Sequence, residues 1–234
     1  MKLLAFETAT EACSVAVWDH GRVLQRFEVA PRRHAELALP WAEALLAEAG
    51  IARSQLDAVA VSRGPGAFTG VRLGIALAQG VALALDRPVV AASTLAVLAL
   101  RAHAGEGAPV LAAIDARMGE VYRAAFAMGA DGPVATSDER VGAPDAVELP
   151  GTGDAWHGVG TGFGVADGLL AARLGADAAR IDATALPHAA DLAALAAAAY
   201  ERGEAVVPER LEPAYLRNDV ALTLAQQQAR RAAR

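Results

Sequence analysis

Two successive stretches of the chain carry the same order of predicted elements, with strand hairpins before helices. In the first stretch three antiparallel strands are predicted, and Asp19-His20-Gly21 is the turn signal between the second and third. A helix predicted over His34–Ala49 follows and ends at Gly50, because glycine favours the position just after a helix. In the second stretch, Val110–Ile114 and Glu120–Met128 are predicted to pair as a hairpin. This order predicts an α/β fold with two similar lobes.

The boundary between the lobes is predicted at Ala104-Gly105-Glu106-Gly107, a linker-like segment. The first lobe then spans 1–103 and the second, smaller lobe spans 104–217. The remaining residues, 218–234, form a tail with a predicted helix over 219–230. Other elements predicted in the chain are a strand over Asp57–Ser62, a weak strand near Thr136–Val141, a strand over Trp156–Gly160, helices over Val165–Leu174 and Ala189–Arg202, and an extended segment over Glu212–Leu216.

Composition excludes several classes of protein. With 234 residues, of which 54% are hydrophobic, the chain can bury a core without disulfides. The single cysteine, Cys13, excludes an internal disulfide and a zinc site built from several cysteines. The net charge is −6 and the basic residues do not cluster, which excludes a stand-alone nucleic-acid binder.

The apolar stretch Val71–Leu85 raises the question of a membrane span. Arg72 and Gln79 interrupt it, and the uninterrupted run is shorter than the roughly 18–20 residues that a span requires. A helix buried inside a soluble protein is therefore expected. The N-terminal sequence lacks the long apolar run of a signal peptide, so a cytoplasmic location is expected.

Two glycine clusters are candidates for ligand binding. Gly64–Gly70 joins a predicted strand to a helix, where glycines admit either an anion or a neighbouring backbone. No lysine follows Gly70, so the loop is not a Walker motif, and an anion cradle and a tight structural turn both remain open. The second cluster, Gly158–Gly164, loosely matches a dinucleotide-binding pattern, although a simple glycine turn is the better interpretation.

The acidic residues near predicted strand ends are Glu7, Glu11 and Asp115. Each could orient a metal or water in a two-lobed phosphotransferase, but Asp115 also suits an ordinary turn. The five histidines include no pair spaced three or four residues apart, so no helical metal pair is predicted. No catalytic constellation emerges from these residues.

Three motifs together resemble the TsaB family, also called YeaZ. The resemblance covers most of the chain, and Pro213-Ala214-Tyr215-Leu216-Arg217 fits the same family. The motifs, in chain order, are Phe6-Glu7-Thr8-Ala9-Thr10-Glu11-Ala12-Cys13-Ser14-Val15-Ala16, Arg63-Gly64-Pro65-Gly66-Ala67-Phe68-Thr69-Gly70-Val71-Arg72-Leu73-Gly74, and Ala113-Ile114-Asp115-Ala116-Arg117-Met118-Gly119-Glu120-Val121-Tyr122.

The resemblance implies an actin-like ATPase (ASKHA) fold with two ribonuclease-H-like lobes. It also implies a non-catalytic scaffold subunit in a complex that transfers threonylcarbamoyl to adenosine 37 of tRNAs reading codons that begin with A. The expected partners are the catalytic paralogue TsaD and the ATPase TsaE, with tRNA met through the complex. No cofactor of its own is implied, whereas ATP or ADP could bind at the boundary of the complex. The paralogue's His-x-x-x-His metal pair has no counterpart here, because the matching stretch Ser93–Leu98 contains no histidine.

The resemblance also implies that the first two helices form the partner surface, and the helix pattern supports this. The helix over His34–Ala49 carries a second apolar stripe centred on Trp41, and such unpaired stripes usually mark contacts. Without the partner, the same surface could form a homodimer. The predicted partner-binding residues are Leu37, Trp41, Ala44, Leu45 and Glu48 on the first helix and Arg72, Ala76, Gln79 and Leu83 on the second.

Two alternative functions remain at this point. An active ATP-dependent kinase or ATPase of the same fold is the first, supported by Asp115 and the glycine loops. A glycoprotein metalloprotease, an old label of the wider family, is the second. The missing histidine pair argues against it.

Overall fold

The computed structural model describes residues 1–148, 156–174 and 180–217. Within them, the strands form two sheets. The strands of the first sheet are β1 (Lys2–Glu7), β2 (Ala12–Asp19), β3 (Arg22–Val29), β4 (Ala58–Ser62) and β5 (Val89–Ala92). The helices are α1 (His34–Ala49), α2 (Phe68–Leu85), α3 (Thr94–Ala99), α4 (Leu169–Leu174) and α5 (Ala189–Glu201).

The first sheet has the strand order β3-β2-β1-β4-β5. The predicted antiparallel start is confirmed, since β1 pairs with β2 and β2 with β3 in antiparallel fashion. Strands β4 and β5 add in parallel to β1 and β4 because α1 and α2 return the chain to the same end of the sheet. The carboxyl ends of β1 and β4 therefore lie side by side.

The bounds predicted for α1 are confirmed. Gly50 adopts φ +68°, the left-handed conformation that glycine reaches without steric cost, and the N–H of Ile51 donates to the carbonyl of Leu46 at 2.9 Å. At the other end, the ring of His34 is buried and its Nε2 lies 2.9 Å from the carbonyl oxygen of Thr10. This bond ties the start of the helix to the turn between β1 and β2.

Alternate residues of the strands face opposite sides of the first sheet and build two separate cores. Leu4, Phe6 and their neighbours pack with α1 and α2 on one side. Leu3 and Ala5 pack on the other side against α5, whose alanines allow a close approach. By length and composition, helix α2 could cross a membrane. In this structure, its buried face packs on the first sheet.

The second sheet comprises β6 (Pro109–Arg117), β7 (Glu120–Gly129), β8 (Gly132–Ala135), β9 (Arg140–Gly142), β10 (His157–Val159) and β11 (Ile181–Asp182). Its order is β11-β10-β6-β7-β8, with β9 pairing with β7. The predicted hairpin of the second lobe is confirmed as β6 and β7. Helix α3 contributes Leu95 and Leu98 to the core on one side of this sheet, and α4 contributes Leu170 and Leu174 on the other.

The sequence predicted lobes over 1–103 and 104–217, but one helix of each range packs on the sheet of the other lobe. Helix α3, within 1–103, packs on the second sheet, and α5, within 104–217, packs on the first. The chain thus crosses between the lobes after β5 and again before α5. A division by contiguous segments therefore differs from the division by packing.

Two predictions for the second stretch were wrong in detail. Of the weak strand predicted near Thr136–Val141, only Arg140 and Val141 lie in a strand, β9, whereas residues 136–139 connect it to β8. The helix predicted over Val165–Leu174 is only α4, because Ala166 and Asp167 adopt positive φ values of 51° and 54° and break the helix. Residues 211–217 form neither helix nor strand. The predicted helix over 219–230 lies outside the described residues.

Candidate interaction surface and interlobe cleft

The glycine loop after β4 is filled by the protein's own backbone. A Cβ atom on Gly66 would lie 2.3 Å from the carbonyl oxygen of Ala9, and one on Gly70 would lie 2.1 Å from that of Thr8. The N–H of Ala67 donates to the Ala9 carbonyl at 2.7 Å, and the Thr8 hydroxyl donates to the Gly70 carbonyl at 2.8 Å. Of the two interpretations that the sequence left open, the tight structural turn is the one observed.

The second glycine cluster also serves packing. A Cβ on Gly158 would lie 2.6 Å from the ring of Phe163, and one on Gly160 would lie 2.3 Å from the carbonyl oxygen of Ala113. A Cβ on Gly162 would lie 2.7 Å from the methyl carbon of Ala113. The cluster lets the turn after β10 lie directly on β6.

Glu7 differs from the other two acidic candidates, Glu11 and Asp115, in being completely buried. Its side chain is completely buried at the end of β1, where it accepts hydrogen bonds from the N–H of Ala9, at 2.8 Å, and from the hydroxyl of Ser62 on β4. Burial raises the pKa of this carboxyl group to about 7, and the two hydrogen bonds oppose the rise. Glu7 therefore joins two strands inside the first lobe and does not face the cleft.

Glu11 and Asp115 line a cavity of about 420 Å³ between the lobes, together with Arg117 and Thr161. The Asp115 carboxylate accepts hydrogen bonds from the backbone N–H of Arg117 at 2.7 Å and from its guanidinium at 2.9 Å. The N–H of Asp115 donates to the Thr161 hydroxyl at 3.1 Å. In the part of the chain that the structure describes, no group of three His, Cys, Asp or Glu side chains could hold a metal ion.

The stretch that matches the paralogue's metal motif begins α3. The Ser93 hydroxyl accepts hydrogen bonds from the N–H groups of Leu95 and Ala96, at 3.1 and 3.3 Å, and thereby caps the helix. Thr94, Leu95, Val97 and Leu98 are buried in the protein. These residues serve the helix cap and the core.

The predicted partner residues of α1 divide between core and surface. Leu37 and Leu45 are only 9% and 1% exposed and pack in the core beneath α1. Trp41 and Ala44 are partly buried at the edge of that core, and Glu48 is exposed, with a carboxylate oxygen 4.0 Å from the Arg26 guanidinium. The stripe predicted on α1 therefore includes residues of both the buried and the exposed face of the helix. Leu37 and Leu45 belong to the buried face and have almost no accessible surface for a partner to contact.

On α2, the predicted residues Ala76 and Leu83 are exposed, Leu83 by 54%. The same side includes Phe68, which is 64% exposed, and α1 adds Leu39, which is 44% exposed. Neither Phe68 nor Leu39 is among the partner-binding residues predicted from the sequence. Phe68 could have been predicted, because the apolar stripe of α2 extends to this first residue of the helix. We call Leu39, Phe68, Ala76 and Leu83 the apolar face.

Arg72 and Gln79, the other two predicted residues of α2, contact the segment that precedes the tail. The Arg72 Nε donates to the Tyr215 hydroxyl at 2.8 Å, and the Gln79 amide donates to the Pro208 carbonyl at 2.9 Å. The two residues of each pair are far apart in the chain, by 143 positions for Arg72 and Tyr215 and by 129 for Gln79 and Pro208. No local sequence pattern could therefore have indicated these contacts.

Two α/β lobes, with helices that cross between their sheets and a cleft between the β1–β2 and β6–β7 turns, define a protein of the actin-like class. A family model described as "TsaD: tRNA N6-adenosine threonylcarbamoyltransferase" matches residues 27–223. The chain is 41% identical to the Escherichia coli tRNA threonylcarbamoyladenosine biosynthesis protein TsaB, over 94% of this chain and 96% of that protein. The Haemophilus influenzae protein of the same name is 36% identical over 94% and 95% of the two chains. A solved structure, YeaZ from Pseudomonas aeruginosa, superposes with a TM-score of 0.84 at 48% identity, covering 92% of this chain and 99% of that one.

The chain belongs to the TsaB family, also called YeaZ, a family of tRNA threonylcarbamoyladenosine biosynthesis. The actin-like fold that the motifs implied is confirmed with it.

Proposed function

We propose that this chain acts in tRNA threonylcarbamoyladenosine biosynthesis as a non-catalytic scaffold subunit. It binds a TsaD-family paralogue through α1 and α2, and threonylcarbamoyl transfer to adenosine 37 takes place on the paralogue. TsaE joins this complex, ATP or ADP binds at the boundary between subunits, and tRNA is met through the complex. The setting is the cytoplasm, and a homodimer through the same helices forms when the paralogue is missing.

The observation that carries the proposal is the apolar face. Phe68 and Leu83 are large apolar side chains, each more than half exposed on one side of α2. The 18 residues of this helix include one charged side chain, Arg72. Contiguous apolar surface rimmed by polar groups is typical of protein–protein contacts, whereas single exposed apolar residues are ordinary. Leu39 on α1, a helix that packs beside α2, is a further apolar side chain that is 44% exposed.

The state of the cleft supports a non-catalytic role. At Asp115, a metal ion or a substrate hydroxyl would compete with Arg117, because each carboxylate oxygen already accepts a hydrogen bond from that residue. The glycines that could have cradled phosphate lie against backbone of the same chain.

The test is light scattering after gel filtration, with the chain alone and mixed with the TsaD-family protein of the same organism. We expect a one-to-one complex that forms at the expense of any homodimer. Absence of a complex, even with nucleotide and TsaE added, would overturn the scaffold role. ATP turnover by the isolated chain that is lost in Asp115→Ala would instead support the kinase alternative.

A further inference from the structure

Arg72 is held in one orientation by two aromatic rings on the surface of α2. Its guanidinium carbon lies 3.5 Å above the centre of the Phe68 ring and 5.3 Å from that of Tyr215. The Nε also donates to the Tyr215 hydroxyl at 2.8 Å. Phe68 and Tyr215 are 64% and 53% exposed, so the cluster they form with Arg72 is open to solvent. We call these three residues the arginine cluster.

The segment that carries Tyr215 is anchored on both sides of that residue. The N–H of Ala214 donates to the Arg63 carbonyl at 2.8 Å, and the Gln79 amide holds the Pro208 carbonyl. Beyond Tyr215, the Arg217 guanidinium forms an ion pair with Glu120 on β7. Tyr215 is therefore positioned before any partner arrives, and Arg72 with it.

The charge of Arg72 has no carboxylate to balance it. Over residues 1–148, 156–174 and 180–217, none lies within 4 Å of its guanidinium. Its Nε bonds to Tyr215, whereas the two terminal nitrogens have no hydrogen-bond acceptor within those ranges. A guanidinium whose plane is fixed and whose terminal N–H groups are free matches the geometry of a carboxylate.

We propose that Arg72 binds an aspartate or glutamate side chain of the TsaD-family partner, which makes the arginine cluster the polar anchor of an otherwise apolar interface. The inference rests on the proposed function and adds what the partner must present: a carboxylate beside an apolar helix surface. Charge complementarity is the reason for this choice, because Arg72 is the one charged residue of α2. Arginine and tyrosine are also enriched among the residues that dominate interface energies, and a side chain that is already ordered loses less entropy on binding.

An RNA phosphate is the competing ligand, since arginine and aromatic rings also bind nucleic acid. Binding to phosphates depends on several basic residues acting together. The apolar face next to Arg72 provides none, and the chain has a net charge of −6. The partner carboxylate is therefore favoured.

The first experiment measures the Kd of the purified chain for the TsaD-family protein of the same organism. We expect Arg72→Ala to raise the Kd by about tenfold or more. Arg72→Lys should recover little, since an ammonium group neither stacks on Phe68 as well nor forms the two parallel bonds. The matched control is Arg202→Ala, an exposed arginine at the end of α5 on the opposite face of the first sheet, which should leave the Kd unchanged. Thermal unfolding of each variant establishes that it folds.

The second experiment uses the low lysine content of the chain. Lys2 is its only lysine, so Arg72→Lys creates one new amine that a carbodiimide can join to a nearby carboxylate. At protein concentrations above the Kd of the variant, we expect a zero-length cross-link from position 72 to an aspartate or glutamate of the partner, located by mass spectrometry.

The outcomes separate this inference from the proposed function. If the wild-type chain does not bind the paralogue, the proposed function fails. If it binds, but Arg72→Ala leaves the Kd unchanged or cross-links arise only from Lys2 and the N-terminus, the carboxylate anchor is wrong. If Arg72→Ala weakens binding of the chain to tRNA while the Kd for the paralogue stays the same, the RNA alternative replaces it.

Discussion

The buried carboxyl group of Glu7 accepts a hydrogen bond from the hydroxyl of Ser62 and so joins β1 to β4 where both strands end. The same carboxyl group accepts the N–H of Ala9, two residues along the turn that the glycine loop covers. The turn between β1 and β2 and the glycine loop after β4 are thus held together in two ways: by hydrogen bonds to the buried Glu7 and by the close packing of Gly66 and Gly70.

Glu7 should make the stability of the protein depend on pH. Its pKa is raised by burial to about 7 in the folded state, against 4.5 for an exposed glutamate, so the folded protein holds a proton that the unfolded chain releases. The contribution of Glu7 to stability is therefore fully present below about pH 4.5 and is lost as the pH rises through about 7. Urea unfolding between pH 5 and 8 should show this fall for the wild type and a much smaller one for Glu7→Gln. Equal pH dependence of the two proteins would contradict the assignment.

Gly70 should not tolerate a side chain. In Gly70→Ala the new methyl group would lie 2.1 Å from the Thr8 carbonyl oxygen, and backbone would have to move to admit it. We expect a loss of about 2 kcal/mol or more in the free energy of unfolding. The control is Gly80→Ala on the same helix, where nothing lies within 4 Å and the change should stabilise the protein by about 0.5–1 kcal/mol. Similar effects at both positions, measured by urea unfolding, would refute the close-packing role of the loop.

Leu83 should contribute to partner binding and little to stability. Because it is 54% exposed, Leu83→Asp should change the free energy of unfolding by no more than about 0.5 kcal/mol. Placing a charge in an apolar contact should nevertheless raise the Kd for the TsaD-family protein at least about tenfold. Leu169→Asp is the control, because Leu169 is similarly exposed, at 47%, but lies on α4 in the second lobe. Isothermal titration calorimetry measures the Kd of both variants for the TsaD-family protein. Equal Kd values would show that Leu83 does not belong to the partner-binding surface.

Trp41 is partly buried at the edge of the core beneath α1. Trp41→Ala should weaken the heterodimer by more than about 1 kcal/mol if the ring reaches the partner. The control is Trp18→Ala, since Trp18 is also partly buried but packs on the α5 side of the first sheet. An unchanged affinity in Trp41→Ala would place this ring in the core alone.

Leu45 should behave as a core residue despite its place in the predicted stripe. It is 1% exposed, so Leu45→Ala should cost about 2–5 kcal/mol of stability through lost burial and the cavity left behind. Thermal unfolding measures the loss, and at temperatures where the variant is folded its affinity for the paralogue should match that of the wild type. A loss of affinity with unchanged stability would return Leu45 to the partner surface.

The sequence alone was enough for the elements whose signals are local. The hairpin turn at Asp19-His20-Gly21 and the end of α1 at Gly50 each depend on residues within a few positions, and the structure has both. The motifs around Glu7, Gly64 and Asp115 indicated the family and with it the actin-like fold, which the comparisons confirm. Where local signals conflicted, as at Ala166 and Asp167 in a glycine-rich turn, the helix prediction was wrong.

The tertiary structure alone decided what each apolar stripe and each glycine contacts. On α1, Leu37 and Leu45 belong to the core because the first sheet lies beneath them, a fact that no helical period contains. The glycine loop is a packing contact because the Thr8 and Ala9 carbonyls, more than 50 residues earlier, occupy its open side. Arg72 is oriented by Tyr215 from the far end of the chain. Local sequence determines backbone conformation through hydrogen bonds and side-chain entropy between near neighbours, whereas burial and the availability of a charge depend on elements that meet only when the whole chain has folded.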